Sequence, residues 1–466
     1  MKPQIKAIAA VAVLALLAAG CSRSGSSSGA AGAGGQGTAS ASQAAKATAG
    51  SFGSLTGVCH PGNATGATDL GVTATQIKVG VLTDVGFTKD PQLLNAANVF
   101  TSWCNAAGGI GGRKLVADIR DTQMLQVVQA VAGACATDFS LVGGSAALDG
   151  LAVATRLKCL LPDFDAQTVM PQNQGSGLQV YPITQGHSYA FYPGYYQWLV
   201  KQKYPDSAGH VGILAGQSVI TQVDDAVAAE TFKDVGGSVI YNEYFPVTGA
   251  SDWTPYAESI KTKGVKGLVF YGTPQELAAL ELDLTNMNYK LDWIDANTNA
   301  YGAPFIQAAG KSLGFQHNYA DLPAVYPLEK ASANPATQQV INLYGQYAPG
   351  QPVTLQALQA FSAWLVFAAA AESCGSDLTR KCVYDAAVKQ TARTGGGLTA
   401  PVNLAQPDSP PSCFDIEQAT PNGWQPASFG ANDGAYRCGE PVFRLTGSYP
   451  QPLTLAEVGK SLNDLK

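Results

Sequence analysis

The chain has 466 residues, of which 46% are hydrophobic and 13% are charged, and its net charge at neutral pH is −6. This length allows two domains. The sequence has no block of basic residues of the kind that binds nucleic acid, and its acidic balance suits an exported soluble protein.

The N-terminus predicts export. Lys2 and Lys6 precede an uninterrupted apolar run over residues 7–19, which is shorter than the roughly 20 residues needed to cross a bilayer. Residues 18–21 (Ala-Ala-Gly-Cys) resemble a bacterial lipobox. This resemblance predicts that residues 1–20 are a lipoprotein signal peptide and that Cys21 is lipidated. An ordinary signal peptide followed by a chance cysteine is the alternative.

The segment after the cysteine is low in complexity. Residues 22–57 contain little besides Ser, Gly, Ala, Gln and Thr. Such a composition buries too little apolar surface to offset the entropy of ordering the chain. We therefore predict a flexible tether over residues 21–58 that holds a globular body near a membrane.

From residue 77 onward, short apolar strands alternate with amphipathic helices, a pattern typical of a parallel sheet covered on both faces. A first series ends near residue 162 and a second begins near residue 182. The predicted strands are 77–82, 115–119, 141–143, 159–162, 210–214, 238–241, 268–271 and 293–294. The predicted helices are 91–107, 125–138, 148–158, 187–203, 222–235, 274–286, 338–347 and 355–373.

The remainder of the chain is rich in Pro and Gly and is predicted to be irregular. Asn422 and Gly423 form a dipeptide that is typical of a hairpin turn.

Two glycine-containing stretches carry a recognisable signature. Residues 71–73 (Gly-Val-Thr) lead into residues 77–80 (Ile-Lys-Val-Gly), and residues 105–114 read Asn-Ala-Ala-Gly-Gly-Ile-Gly-Gly-Arg-Lys. The glycines let a helix end and the chain reverse into a strand within a few residues, which requires positive φ. At this spacing the stretches resemble the first strand and first helix of the type I periplasmic binding proteins. More narrowly, they resemble the leucine/isoleucine/valine receptors of ABC transporters.

This resemblance implies an α/β fold with two doubly wound parallel-sheet lobes. A three-crossing hinge would join the lobes, and the ligand would lie in the cleft between them. Lobe 1 would comprise residues 59–183 and about 322–395, and lobe 2 residues 184–321 and about 396–445, with a C-terminal tail over 446–466. The crossings are expected near 181–185, near 318–322 and between 371 and 397.

The resemblance also implies that loops at the carboxyl ends of the strands line the cleft. Ser145 and Thr168 would bind a carboxylate, and aromatic rings would cover apolar parts. An ammonium group would pair with one of three candidate acids, Asp84, Asp165 or Asp295. A serine or aspartate after a strand is also a common helix cap, and Tyr271 is equally suited to packing between lobes. The residues predicted to contact the ligand are Asp84, Phe87, Ser145, Asp165, Gln167, Thr168, Gln217, Ser218, Tyr271, Asn297, Thr298 and Tyr301.

The cysteines predict a disulfide framework. Nine are present, and eight remain once Cys21 is set aside, an even number in an exported chain. Buried free thiols are the alternative. The spacing of Cys374 and Cys382 is too wide for a zinc knuckle, so neither a metal nor a cofactor is predicted. In lobes of this kind the helix ends bearing two of the cysteines share a face, two others close a short turn, and two clamp the hairpin. The predicted pairs are Cys59–Cys104, Cys135–Cys159, Cys374–Cys382 and Cys413–Cys438.

These observations predict a monomer that is lipid-anchored on the outer face of the bacterial cytoplasmic membrane. It would capture a small polar ligand, an amino acid or a related carboxylate or amide, and deliver it to an ABC permease. An exported hydrolase is the weaker alternative, because the predicted globular part has no Gly-x-Ser-x-Gly elbow and no His-Glu-x-x-His motif. A ligand sensor without a transport role, and a structural lipoprotein that has lost its cleft, remain open.

Overall fold

The computed structural model describes residues 50–183, 190–191, 193–406 and 412–466. The predicted signal peptide, Cys21 and most of the predicted tether lie outside the described residues. The described chain forms two α/β lobes, each built on its own sheet.

Lobe 1 contains a five-stranded parallel sheet. Its strands are β1 (Gln76–Thr83), β2 (Lys114–Asp121), β3 (Leu141–Val142), β4 (Asp163–Phe164) and β5 (Gln179–Val180). They are arranged in the order β2-β1-β3-β4-β5. Ile77, Val79 and Val81 are fully buried, as expected for an apolar strand covered on both faces. The strand predicted over 159–162 is displaced, because Leu160 has a positive φ of 56° and β4 starts only at Asp163.

Helices cover both faces of this sheet. The longest of them, Leu355–Cys374, is the core helix of lobe 1, and its Trp364 ring stacks on Phe100 with the ring centroids 5.3 Å apart. It is the one helix among the described residues that is long and apolar enough to cross a membrane, and most of its surface is buried inside the protein. The helices of lobe 1 are Val85–Thr88, Gln92–Ala107, Val127–Thr137, Val153–Lys158, Pro335–Tyr347, Leu355–Cys374 and Arg380–Ala387.

The glycine signature has a structural role. Gly108, Gly109, Gly111 and Gly112 all have positive φ, as the sequence predicted, and a Cβ on Gly109 would lie 2.1 Å from the carbonyl oxygen of Arg113. The Arg113 guanidinium is buried and donates hydrogen bonds to backbone carbonyls on both sides of the turn, including one of 2.9 Å to Thr73. The motif therefore shapes the connection between the helix Gln92–Ala107 and β2.

Lobe 2 contains the second sheet, and a small pair of strands lies apart from it. The remaining strands are β6 (Ala190–Phe191), β7 (Val211–Gly216), β8 (Val239–Phe245), β9 (Gly267–Tyr271), β10 (Trp293–Asp295), β11 (Asn318–Leu322), β12 (Cys413–Thr420), β13 (Gly423–Pro426), β14 (Arg437–Cys438) and β15 (Phe443–Arg444). The large sheet has the order β13-β12-β11-β10-β9-β7-β8, and β14 pairs with β12. The strands β7 to β11 are parallel, whereas β12 joins antiparallel to β11 and forms the predicted hairpin with β13.

Two helices of lobe 2, Val219–Asp234 and Pro274–Asn286, start at capping boxes. The side chain of Thr273 accepts a 3.3 Å hydrogen bond from the backbone N–H of Glu276, and the Glu276 carboxylate accepts one from the backbone N–H of Thr273. With Pro274 at the first helical position, this capping box explains why the predicted helix 274–286 begins where it does. The helices are Gly194–Gln197, Val219–Asp234, Thr254–Lys263, Pro274–Asn286 and Ala303–Ala309.

Other sequence predictions also differ from the structure. The helix predicted over 187–203 begins only at Gly194, because Ala190–Phe191 pairs as a strand with β15 and residues 184–189 and 192 are outside the described part. Residues 318–322 form β11 inside the sheet instead of a crossing. Residues 413–420, predicted to be irregular, form the long strand β12.

The chain passes between the lobes after β5, after β11 and before β12. The second and third passages run side by side, since Tyr326 N donates to Leu398 O at 3.0 Å and Ala400 N donates to Ala324 O at 2.8 Å. This places the third passage beyond the interval 371–397 that the sequence predicted.

The end of the predicted tether is part of lobe 1. Phe52 is fully buried and packs against Trp103 with the ring centroids 5.9 Å apart, and Val58 is also buried. Nearby, Cys59 forms a disulfide with Cys104. All four predicted disulfides are confirmed: Cys59–Cys104, Cys135–Cys159, Cys374–Cys382 and Cys413–Cys438.

After β15 the chain returns to lobe 1 as a C-terminal strap, residues 445–466. Its first part is held by Glu230 of lobe 2, which accepts hydrogen bonds from Thr446, Gly447 and Tyr449. These bonds, that of the Tyr449 hydroxyl foremost, lower the pKa of Glu230 to about 2. The end of the strap packs on lobe 1, where Leu465 is buried in an apolar cluster. The predicted C-terminal tail thus connects the two lobes a fourth time.

Candidate functional site

A cleft of about 680 Å³ lies between the lobes. Lobe 1 contributes the loop after β4 and the core helix, and lobe 2 contributes the carboxyl ends of β7, β9, β10 and β11. This volume lies within the range of about 300–1,000 Å³ that is usual for small-molecule sites. A second cavity of about 360 Å³ adjoins the cleft through shared wall residues and is bordered by Leu462 of the strap.

Half of the predicted contact residues line this cleft. Thr168 has a buried hydroxyl oxygen without a hydrogen-bond partner among the described residues. Ser218 caps the helix Val219–Asp234 by accepting a 3.1 Å hydrogen bond from Thr221 N, so its hydroxyl is already engaged. The predicted residues that line the cleft are Gln167, Thr168, Ser218, Tyr271, Asn297 and Thr298.

Asn297 has a strained backbone. Its φ of 64° and ψ of 156° fall in a region that is ordinarily reserved for glycine and costs about 1–3 kcal/mol for other residues. The strain turns the chain immediately after β10 and places Asn297 and Thr298 at the cleft wall. Such strain often marks functional loops.

The other predicted residues do not line the cleft. Asp84 joins loops within lobe 1, because its carboxylate accepts hydrogen bonds from Met124 N at 3.1 Å and Ala147 N at 2.7 Å. Ser145 is buried behind the wall, and Phe87 and Gln217 are exposed outside it.

Tyr301 and Asp165 are also engaged by hydrogen bonds to other residues of the protein. The Tyr301 hydroxyl donates to Glu329 and accepts from Leu328 N at 3.0 Å. Asp165 is buried in lobe 1 and accepts a 2.8 Å hydrogen bond from the side chain of Gln179. Both residues therefore have structural partners in this conformation.

Tyrosines form much of the cleft wall in lobe 2. The Tyr196 hydroxyl donates a 3.1 Å hydrogen bond to Asp295 and lies 3.4 Å from the hydroxyl of Tyr271. Burial, reinforced by nearby negative groups, raises the pKa of Tyr195, Tyr196 and Tyr271 well above the usual value. These hydroxyls are therefore neutral hydrogen-bonding groups at physiological pH.

Three aspartates share the same wall. Burial raises the pKa of Asp224 to about 7 and that of Asp295 to about 6. The pKa of Asp321 is raised well above its usual value by burial and then by the charge of Asp295 on the neighbouring strand. None of these carboxyls forms an ion pair within the described part of the chain.

A family model for periplasmic binding proteins matches residues 76–413. The chain belongs to the periplasmic binding protein family. The resemblance inferred from the glycine signature is thereby confirmed, and so is the α/β fold with two parallel-sheet lobes. Members of this family are the substrate-binding, non-enzymatic components of ABC transporters, and they are exported to the periplasm.

Solved structures share this fold at low sequence identity. A fatty acid ABC transporter substrate-binding protein from Thermomonospora curvata has a TM-score of 0.66 and 16% identity, over 85% of this chain and 99% of that chain. The leucine-binding protein LivK from Thermotoga maritima has a TM-score of 0.62 and 14% identity, over 76% and 98%. A branched-chain amino acid transporter protein from Thermus thermophilus with bound valine has a TM-score of 0.62 and 12% identity, over 76% and 96%. No curated protein matches the chain by sequence.

Several residues that line the cleft of this periplasmic binding protein were not predicted from the sequence. Tyr195 and Tyr196 belong to the segment 187–203 that was predicted as a helix, but neither was assigned to the cleft. Asp224 is inside a helix and Asp321 is inside β11, so neither follows a strand directly. Gln359 is one of several polar residues in the apolar core helix, and no local pattern distinguishes it from Gln356 or Ser362.

Proposed function

We propose that this protein is an exported lipoprotein that captures a small organic solute in the interlobe cleft and delivers it to an ABC permease. Cys21 would carry the lipid and hold the monomeric protein at the outer face of the cytoplasmic membrane. The observation that supports this most is the cleft itself, since polar and aromatic groups from both lobes converge on about 680 Å³.

The two-walled cleft suggests how binding would work. A solute that contacts Thr168 or Gln359 of lobe 1 and Asp295 of lobe 2 at once stabilises only the arrangement in which both walls are close. The solutes named for structural relatives are leucine-type amino acids and fatty acids, so both classes belong in the first screen.

A thermal-shift screen of amino acids, amides, amines and carboxylates tests the proposal. We expect at least one compound to raise the melting temperature in a saturable manner, because it binds only the folded state. Small-angle scattering of that complex should show a smaller radius of gyration than the free protein. If no small organic solute from a broad library binds, the proposal is wrong.

Lipidation is tested separately. Mass spectrometry of the N-terminal peptide from the native host should show a diacylglyceryl-modified Cys21 as the first residue. A mature chain that starts elsewhere would refute the anchor while leaving solute capture open.

A further inference from the structure

The described ionisable residues that line the cleft include acids without basic partners. Among the described residues that line it, four are acids and none is Lys, Arg or His. Glu276 is committed to its helix cap, where its carboxylate accepts a 2.7 Å hydrogen bond from Thr273 N. The other three acids, Asp224, Asp295 and Asp321, face the cleft from lobe 2.

Two of these carboxyls lie on paired strands of the sheet. Asp295 ends β10, and Asp321 lies near the end of the paired strand β11. Asp295 is 5% exposed and receives hydrogen bonds from Tyr196 Oη at 3.1 Å and from Asn297 N at 3.0 Å, which hold it in place. One oxygen of Asp321 is buried without a hydrogen-bond partner in the described chain. A positive charge between them would relieve their repulsion and satisfy the free oxygen.

Lobe 1 offers an independent indication of a hydrogen-bond donor in the ligand. Gln359 lines the cleft from the core helix and is only 3% exposed. Its side-chain oxygen accepts no hydrogen bond from any described residue. An acceptor buried in this way is unfavourable if it stays unpaired, so an N–H of a bound molecule is its natural partner.

The aromatic wall suits the same ligand. Tyr181, Tyr195, Tyr196 and Tyr271 line the cleft beside the aspartates. Tyrosine rings attract cations through their faces and also cover alkyl or aryl groups. The cleft therefore combines anionic acceptors with apolar surface.

We propose that the cleft binds an organic ammonium ion without a carboxylate, such as an alkylamine or arylalkylamine. Its N–H groups would bond Asp295, Asp321 and Gln359, and its apolar part would lie against the tyrosines. This inference rests on the proposed function and narrows its ligand class. A zwitterionic amino acid or a fatty acid would bring a carboxylate to a wall in which no described residue supplies a countercharge.

Three probes with one skeleton test the charge requirement. Isothermal titration of the full chain should show that phenethylamine binds at least about tenfold more tightly than phenylalanine or 3-phenylpropanoate, since one charged hydrogen bond is worth that much. Isoamylamine and 1,5-diaminopentane extend the amine series.

Matched variants locate the site. Asp295→Asn should weaken amine binding by about tenfold or more. Asp206→Asn makes the same change in net charge at an exposed position outside the cleft and should leave binding unchanged. Gln359→Leu, on the other lobe, should weaken binding several-fold, so the proposal remains testable if one variant folds poorly.

Three results of these binding measurements would overturn the ammonium inference. Tighter binding of phenylalanine or 3-phenylpropanoate overturns the ammonium inference but supports solute capture. Failure of all three amines also overturns it, while the wider solute screen continues to judge the proposed function. Amine binding that is unaffected by both cleft variants overturns it as well.

Discussion

Buried acids have different partners in the two lobes. In lobe 1, Asp149 accepts hydrogen bonds from Val169 N, Met170 N and the Asn173 side chain at 2.8–2.9 Å, and Arg156 lies 3.4 Å from Asp163. In the lobe 2 wall, Asp224, Asp295 and Asp321 form no ion pair within the described chain. Buried aspartates therefore stabilise lobe 1 and, as we propose, serve a ligand in lobe 2.

The largest effect on the free energy of unfolding is expected for a substitution in the acid cluster of lobe 1. Arg156 is 2% exposed and also donates to the carbonyl of Leu161 at 3.2 Å. Arg156→Met leaves Asp163 buried without a cation, so we expect the free energy of unfolding to fall by about 3–5 kcal/mol. Denaturant titration measures this. Lys381→Met removes an exposed ion pair and should change stability by about 0.5 kcal/mol or less. Equal effects of the two variants would contradict a structural role for the lobe 1 cluster.

The corresponding change in lobe 2 should affect binding more than folding. Asp295→Asn removes a buried carboxyl that has no ion-pair partner in the described chain, so the free energy of unfolding of the ligand-free protein should change by about 1 kcal/mol or less. Ligand-induced stabilisation should be largely lost. Chemical denaturation with and without ligand measures both quantities. If the variant unfolds early and still binds normally, Asp295 is structural and the contrast between the lobes fails.

The pH dependence of the free energy of unfolding tests the role of the buried aspartates of lobe 2. Asp224 and Asp295 have folded-state pKa values of about 7 and about 6, above the value of about 4 expected for an unfolded aspartate. Between pH 4 and 7 the folded state therefore holds more protons, and the stability that these protons contribute is lost as pH rises. The double variant Asp224→Asn/Asp295→Asn should gain stability relative to wild type from pH 5 to 8, on the order of 1 kcal/mol. If the free energies of unfolding of the two proteins change with pH in parallel, this prediction is wrong.

The smallest effect on the free energy of unfolding is expected for a substitution that weakens the attachment of the C-terminal strap. Glu230→Gln keeps the size of the side chain but weakens its bonds to Thr446, Gly447 and Tyr449, and should cost about 1 kcal/mol or less because the site is near the surface. Limited proteolysis should then cut the strap faster than in wild type. Glu258→Gln, at an exposed position on another helix of lobe 2, is the control. An unchanged cleavage rate would show that lobe 1 contacts alone retain the strap.

The fold was largely predictable because apolar strands and capped helices carry local signals. Residues 77–82 and 274–286 are clear cases, with buried alternating apolar residues in the first and a Thr-Pro-x-Glu capping box in the second. Strand β12 was missed because Asp415 and Glu417, both fully buried, give it the polar composition of a loop. Burial of an acid depends on tertiary contacts that no local pattern reports.

The cleft was predictable only in part. Topology identifies strand ends, which found Thr168, Tyr271 and Asn297, but it does not distinguish an acid that joins loops, such as Asp84, from one that faces the cleft. Gln359 is directed into the cleft by the rotation of the core helix against the sheet, and this rotation is set by packing around Trp364.

A crystal structure of the protein with the solute that stabilises it most is the most direct test of capture between the lobes. We predict electron density for a ligand that contacts both Gln359 of lobe 1 and Asp295 of lobe 2 in the same molecule. The positively charged group of an amine should lie beside the aspartate. Density that contacts only one lobe, or that lies outside the cleft, would contradict this prediction.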